Sequence, residues 1–263
     1  MKLDRHDPIL LTPGPLNTAH KTKEAMLHDW GARDSSFIRL NREVCRYLLE
    51  VVGDDGSYVC VPIQGSGTFA IEAMLGTLLP PDGKLLILIN GAYGHRMARI
   101  CGYLNRPVVT YEVPEDKIHK VEHVDSLLRD DPTISHVSFV HCETTSGILN
   151  PMTDLANVVN RHSRSLLIDT VSSFGALPID CDNIGFTAIA ISSNKCIEGV
   201  PGVAFVICKR DVLAASCGNA NSLCLDLFDQ WQSMLRDGQW RFTPPTHVLA
   251  AFHQAILGHS EEG

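Results

Sequence analysis

No stretch of this 263-residue chain is apolar for long enough to cross a bilayer; runs such as Leu85–Ile89 end after one strand's length. The opening Met1-Lys2-Leu3-Asp4-Arg5-His6-Asp7 alternates charges and lacks the apolar core of a secretory signal. The nine cysteines form an odd set without a Cys-x-x-Cys pair, which supports neither a disulfide framework nor a zinc site. Among the twelve histidines no metal-binding His-x-x-x-His or His-Glu-x-x-His motif is read, and no metal is expected. Excess positive charge is missing too: the formal net charge is −8, which disfavours nucleic acid or an anionic membrane as the main partner. These absences lead to a reduced, cytoplasmic protein with scattered core thiols.

What is present is the material of a large core, with 44% hydrophobic residues. Short β-like runs alternate with segments of helical period, the pattern of an α/β layer fold with a mainly parallel sheet. Strands are expected at 58–62, 84–89, 108–112, 136–140, 165–169, 187–191 and 203–208. Helices are expected at 68–79, 93–104, 121–128, 152–162 and 212–215. Pro80-Pro81-Asp82-Gly83 breaks helix from strand, and Pro13-Gly14-Pro15 makes a rigid turn near the start. Near the end, Pro244-Pro245-Thr246 opens a helix to about Leu257 whose apolar Val248, Leu249 and Phe252 need a packing partner. Little sequence follows to supply one, so a truncated chain is expected.

Three places carry chemistry. Ser193-Asn194-Lys195-Cys196 follows the apolar run Thr187–Ile191 and precedes the turn-rich Glu198-Gly199-Val200-Pro201-Gly202. Burial there would free the lysine's lone pair for imine formation. A second apolar run, Ser165–Ile168, ends in Asp169 at the carboxyl edge of a strand, where open α/β sheets bind ligands. Lysine and aspartate together suit pyridoxal 5′-phosphate (PLP), which needs an imine-forming amine and a carboxylate for its pyridine nitrogen. The bland readings are a surface lysine and an Asp helix cap.

Gln64-Gly65-Ser66-Gly67-Thr68 joins a strand to a helix, so its amides, the helix dipole and the Ser66 and Thr68 hydroxyls could hold phosphate. Gly65, Gly67 and Ala70 also match Gly-x-Gly-x-x-Ala, but Asn90 and Gly91 stand where a dinucleotide site wants an acid. A plain glycine turn remains the rival reading. Tyr93 could stack on a flat cofactor or simply pack. Thr144 and Thr145, at another strand end, could bond a ring hydroxyl or just end the strand. Thr243 is a turn residue or a phosphate ligand, and Cys196 a small buried thiol.

Taken together these stretches resemble the fold-type I, class V aminotransferases over essentially residues 8 to 256. The likeness runs through Leu10–Pro15, Gln64–Thr68, Asn90–Gly94, His141–Thr145, Ile168–Ser173, Ser193–Gly202 and Phe242–Thr246, in the family's order. The resemblance implies a three-layer α/β/α large domain with a mostly parallel mixed sheet, the small C-terminal domain being largely missing. In residues it implies an N-terminal segment at 1–20, the large domain at 21–250 and the start of the small domain at 251–263. Lys195 would hold PLP, Asp169 would pair with its pyridinium nitrogen, and Tyr93 would stack on the ring. Ser66, Gly67 and Thr68 would cradle the phosphate, with Thr243 reaching the neighbouring subunit's phosphate in a homodimer. Thr144, Thr145 and Asn194 would line the cofactor. The expected reaction moves an amino group from 2-aminoethylphosphonate to pyruvate. Alanine:glyoxylate or serine:pyruvate transamination and a non-catalytic cofactor-binding fragment stay open. A cysteine desulfurase fits less well, since that group tends to place histidine where this chain has Asn194.

Overall fold

A computed structural model of the chain describes residues 7–262. Six of the seven opening residues weighed above, Met1 to His6, and the terminal Gly263 lie outside them. In chain order the elements are α1 (His20–Glu24), α2 (Ser35–Val51), β1 (Tyr58–Gly65), α3 (Gly67–Leu78), β2 (Lys84–Ile89), α4 (Ala92–Tyr103), β3 (Val108–Glu112) and α5 (Val121–Asp130). There follow β4 (Ile134–Val140), α6 (Met152–Arg161), β5 (Ser165–Asp169), α7 (Cys181–Ile184), β6 (Ala188–Ser192), β7 (Gly202–Lys209), α8 (Arg210–Ala215), α9 (Leu227–Asp237) and α10 (Thr246–Glu262). None of these helices is long and apolar enough to cross a membrane.

The strands form one seven-stranded sheet ordered β1-β7-β6-β5-β4-β2-β3. Pairings from β3 across to β6 are parallel, while β7 runs antiparallel to both β6 and β1. The sheet is therefore mixed and mostly parallel, as expected. β1 outruns its expected end at Pro62 by three residues, to Gly65. Pro62 is tolerated because β1 is an edge strand, where a missing backbone N–H costs no ladder bond on the open side.

Both faces of the sheet are covered, and the strand residues show it by alternation. Leu86, Leu88, Leu166, Ile168, Val203, Phe205 and Ile207 join one apolar cluster with residues of α2, α6 and α10. Their neighbours Leu85, Ile87, Leu167, Ala204 and Val206 join another with α3 and α4. Three layers result.

α1, α2, α7 and α9 lie outside the expected helices. The apolar positions of α2 (Phe37, Leu40, Val44, Leu48) fall on one face at helical spacing and are buried. α10 resolves its own puzzle: its partner lies upstream. Leu249, Phe252 and Ile256 bury against the same cluster as α2, and the Phe252 ring stacks on Phe205 with centroids 5.2 Å apart. Burying a phenylalanine contributes about 2 kcal/mol. The helix runs unbroken from Thr246 to Glu262, secured near its end by His259, which meets the Tyr47 hydroxyl at 2.6 Å and the Gly175 carbonyl at 2.7 Å.

Because β7 is antiparallel to both neighbours, β1 is parallel to β6. The carboxyl ends of β1, β2, β4, β5 and β6 therefore open on one edge of the sheet, where crossover loops leave room for a ligand.

Candidate active site

Asp169 is the last residue of β5, 4% exposed, with Oδ1 accepting the Val171 amide at 2.9 Å. Burial pushes its carboxyl up to about 6, with the Glu143 charge adding to the rise; the Val171 bond and the Arg96 and Lys195 charges oppose it. A carboxylate raised so far is short of a cationic partner. Behind it Thr170 holds the Ala190 carbonyl at 3.0 Å through its hydroxyl, which ties the loop to β6. His141, buried at the end of β4 and pushed down to about 4 by that burial, sits 2.8 Å from the Ser173 hydroxyl.

Asp169 shares a small cleft with Gly67, Thr68, Tyr93, Arg96 and Val171. Here β1 turns into α3. Ser66 is the N-cap in extended conformation, which leaves the first amides of α3 without helical partners. Gly67 is packed so tightly that a Cβ would lie 2.7 Å from Val171 Cγ2. A backbone held this close leaves no space for a side chain.

Lys195 lies just beyond β6 and is buried. Its loop is pinned from several sides: the Gly199 amide donates to Ser193 O at 2.8 Å, the Ser193 hydroxyl to Val200 O at 2.6 Å, and the Ser192 hydroxyl to Asn194 Oδ1 at 2.6 Å. The Pro13-Gly14 turn closes over the lysine's stem, since a Cβ on Gly14 would lie 2.5 Å from Lys195 Cδ. Cys196 is part-buried with its thiol directed at the Ser172 carbonyl, 3.5 Å away, and its pKa is raised chiefly by burial.

The remaining expected residues scatter around this centre. The Thr144 hydroxyl meets that of Ser172 at 2.7 Å. The Thr145 hydroxyl donates to Glu143 at 2.8 Å. Thr243 lies outside the Asp169 cleft, in an apolar groove with Gln64, Gly65, Phe69 and Phe242. Sequence reasoning missed Arg96. Its guanidinium sits 4.4 Å from the Tyr93 ring centroid and donates to the Thr68 hydroxyl at 3.1 Å, linking the stacking candidate to the glycine loop. The available signal was its place three residues after Tyr93, on the same helix face. The sequence also holds one His-x-x-x-His spacing that the metal expectation passed over, His119 and His123. Both rings pack on Tyr111, with centroids at 5.4 and 4.4 Å, and His119 bonds Asn150.

A family model described as Aminotransferase class-V matches residues 21–257. The 2-aminoethylphosphonate–pyruvate transaminase of Pseudomonas entomophila (strain L48) is 55% identical over 256 residues, covering 97% of this chain and 70% of that protein. The like-named protein of Pseudomonas aeruginosa (strain UCBPP-PA14) is 54% identical, with 97% and 69% covered. Among solved structures, pyridoxamine-pyruvate aminotransferase from Mesorhizobium loti superposes with a TM-score of 0.89 at 24% identity, over 100% of this chain and 68% of that one. Ureidoglycine-glyoxylate aminotransferase from Bacillus subtilis gives 0.90 at 22%, with the same coverage. At such identities the structures speak for the fold alone.

Proposed function

The chain belongs to the class-V aminotransferases, and on that premise we propose that it moves the amino group of 2-aminoethylphosphonate to pyruvate, giving phosphonoacetaldehyde and L-alanine, as a cytoplasmic PLP-dependent homodimer. The substrates are taken from the names of relatives 55% identical across 97% of the chain.

The observation that carries the cofactor reading is Asp169: a fully buried carboxyl raised to about 6, with only one backbone amide on it. A protonated pyridine nitrogen supplies the cation it is short of. The rest of the cleft fits the same group. The Gly67 amide at the start of α3, the Thr68 hydroxyl and the Arg96 guanidinium suit phosphate oxygens, and the Tyr93 ring suits a flat heterocycle. When bound, PLP supplies a cationic ring that accepts the electron pair left as the amine-bearing carbon loses a proton.

The chain's own residues do the rest. Lys195 Nζ would hold the cofactor through its aldehyde carbon and, once displaced by the substrate amine, would serve as the base that takes the proton from the amine-bearing carbon. Asp169 keeps the ring nitrogen protonated, which requires its carboxyl to be ionised. Ser66, Gly67 and Thr68 anchor the phosphate. Thr144, Thr145 and Asn194 would lie near the ring, and Thr243 would reach the phosphate site of a partner subunit. The turn over Lys195 excludes water from its stem.

The test is chemical. The protein is mixed with PLP, reduced with borohydride and digested; the pyridoxyl mass is expected on the peptide holding Lys195. Alanine formation from pyruvate and 2-aminoethylphosphonate is measured separately. Label on another lysine overturns the site assignment, and label without alanine overturns the reaction.

A further inference from the structure

The first turn of α4 carries Tyr93 and, three residues on, Arg96. An isolated helix start has amides without partners, normally met by a Ser, Thr, Asp or Asn side chain at the N-cap. Here the N-cap is Gly91, which has no side chain to offer. The missing acceptor comes instead from the loop after β4. Glu143 Oε1 accepts the Tyr93 amide at 3.3 Å, and the Thr145 hydroxyl, itself donating to that oxygen at 2.8 Å, meets the Ala92 amide at 3.5 Å. The carboxylate fills the volume an N-cap side chain would take: a Cβ on Gly91 would lie 2.4 Å from both Glu143 Cγ and Cδ. Glycine is required there because the cap arrives through space.

Glu143 is wholly buried, and its second oxygen, Oε2, has no hydrogen-bond partner. Burying a carboxylate with one bare oxygen costs stability, so simple packing does not account for it. A negative charge does suit a helix start. The same segment meets the loop that follows Asp169, since Thr144 meets Ser172 and the Glu143 charge adds to the rise that burial gives Asp169.

We infer that Glu143 is a positioning residue: by capping α4 from the β4 loop it fixes the Tyr93 ring, and with it the face on which the flat cofactor rests. The inference builds on the PLP reading above and assigns Glu143 no contact with the cofactor.

The experiment measures PLP affinity by equilibrium dialysis of the full chain, alongside the thermal midpoint of the cofactor-free protein. Glu143→Ala is expected to weaken binding by roughly tenfold, the scale of a lost cap, while saturating PLP still labels Lys195 on reduction. Glu143→Gln keeps an acceptor oxygen for Tyr93 and is expected to bind within about threefold of the parent. In a Tyr93→Ala background the Glu143→Ala change is expected to add less than about twofold, because the residue it acts through is gone. Should Glu143→Ala fail to fold, Gly91→Ala displaces the carboxylate and is expected to reproduce the loss. Unchanged affinity in Glu143→Ala, a Gln variant as weak as Ala, or an undiminished loss without Tyr93 each overturns the positioning role and leaves the cofactor reading standing. Failure to label Lys195 in the parent protein overturns the cofactor reading and this inference with it.

Discussion

The two ends of the candidate site are built differently. The Asp169–Lys195 end is deeply buried, and its loops are pinned by hydrogen bonds back to β6, Val200 and Val203. The Thr243 end is open: Thr243 follows Phe242, 50% exposed, in an apolar groove with Phe69, 48% exposed. The residues proposed for proton transfer, Asp169 and Lys195, are thus buried, whereas Thr243 lies in a separate, more open groove. Electrostatics demands dry, rigid placement; phosphate anchoring tolerates donors brought from elsewhere.

Changes at the buried end are expected to be the most severe. Lys195→Ala removes the nucleophile and base together, and alanine formation is expected to fall by about 10⁴-fold or more. Retained turnover would break the division.

Asp169→Ala is expected to cost about 10³-fold in rate. Its amide counterpart tests the other side of the same burial. The folded carboxyl titrates at about 6 against a usual value of 3.8, so the folded state binds the proton more tightly. Below both values this group costs nothing; stability is lost as pH rises from about 4 to 6, by about 3 kcal/mol in all. Cofactor-free Asp169→Asn should therefore be more stable than the parent to urea at pH 7 and equal to it at pH 3.5. Cofactor binding by the parent should weaken as pH falls through 6, where Asp169 takes up its own proton.

Gly67→Ala probes the seam between the two ends. Its new methyl meets Val171 at 2.7 Å, and PLP affinity is expected to fall by about tenfold through displaced backbone. Thr243→Ala should be milder, a few-fold in affinity, the scale of one hydrogen bond. If Thr243 serves a partner's site, that loss vanishes when the protein is diluted to monomers. Smallest of all, Cys196→Ser should leave the rate within about twofold. Its thiol only touches the Ser172 carbonyl.

Much of this was legible because strand and loop signals are local. Ser165–Asp169 and Lys84–Ile89 match their expected bounds residue for residue, since apolar runs bounded by turn residues need no distant information. α2 escaped even though its apolar spacing is regular, because it lies among loop-like residues before the first strand. α9 was hidden in the same way behind Leu225 and Asp226. Tyr93, Asp169, Gly67 and Thr68 were read as site residues, and the fold does bring them to one cleft. Glu143 was not read: its partners lie at residues 91 to 93, a distance no local pattern reports.

The sequence alone determined the alternation of strand and helix, the residues at each carboxyl edge and the lysine segment's likeness to a family, because these follow from periodicity, turn chemistry and side-chain identity. Only the tertiary structure decided that β7 reverses the sheet, that α10 finds its partner in α2, and that a glutamate from one loop caps the helix of another. Those outcomes depend on which surfaces meet when apolar area is removed from water, and that is settled by the whole chain at once.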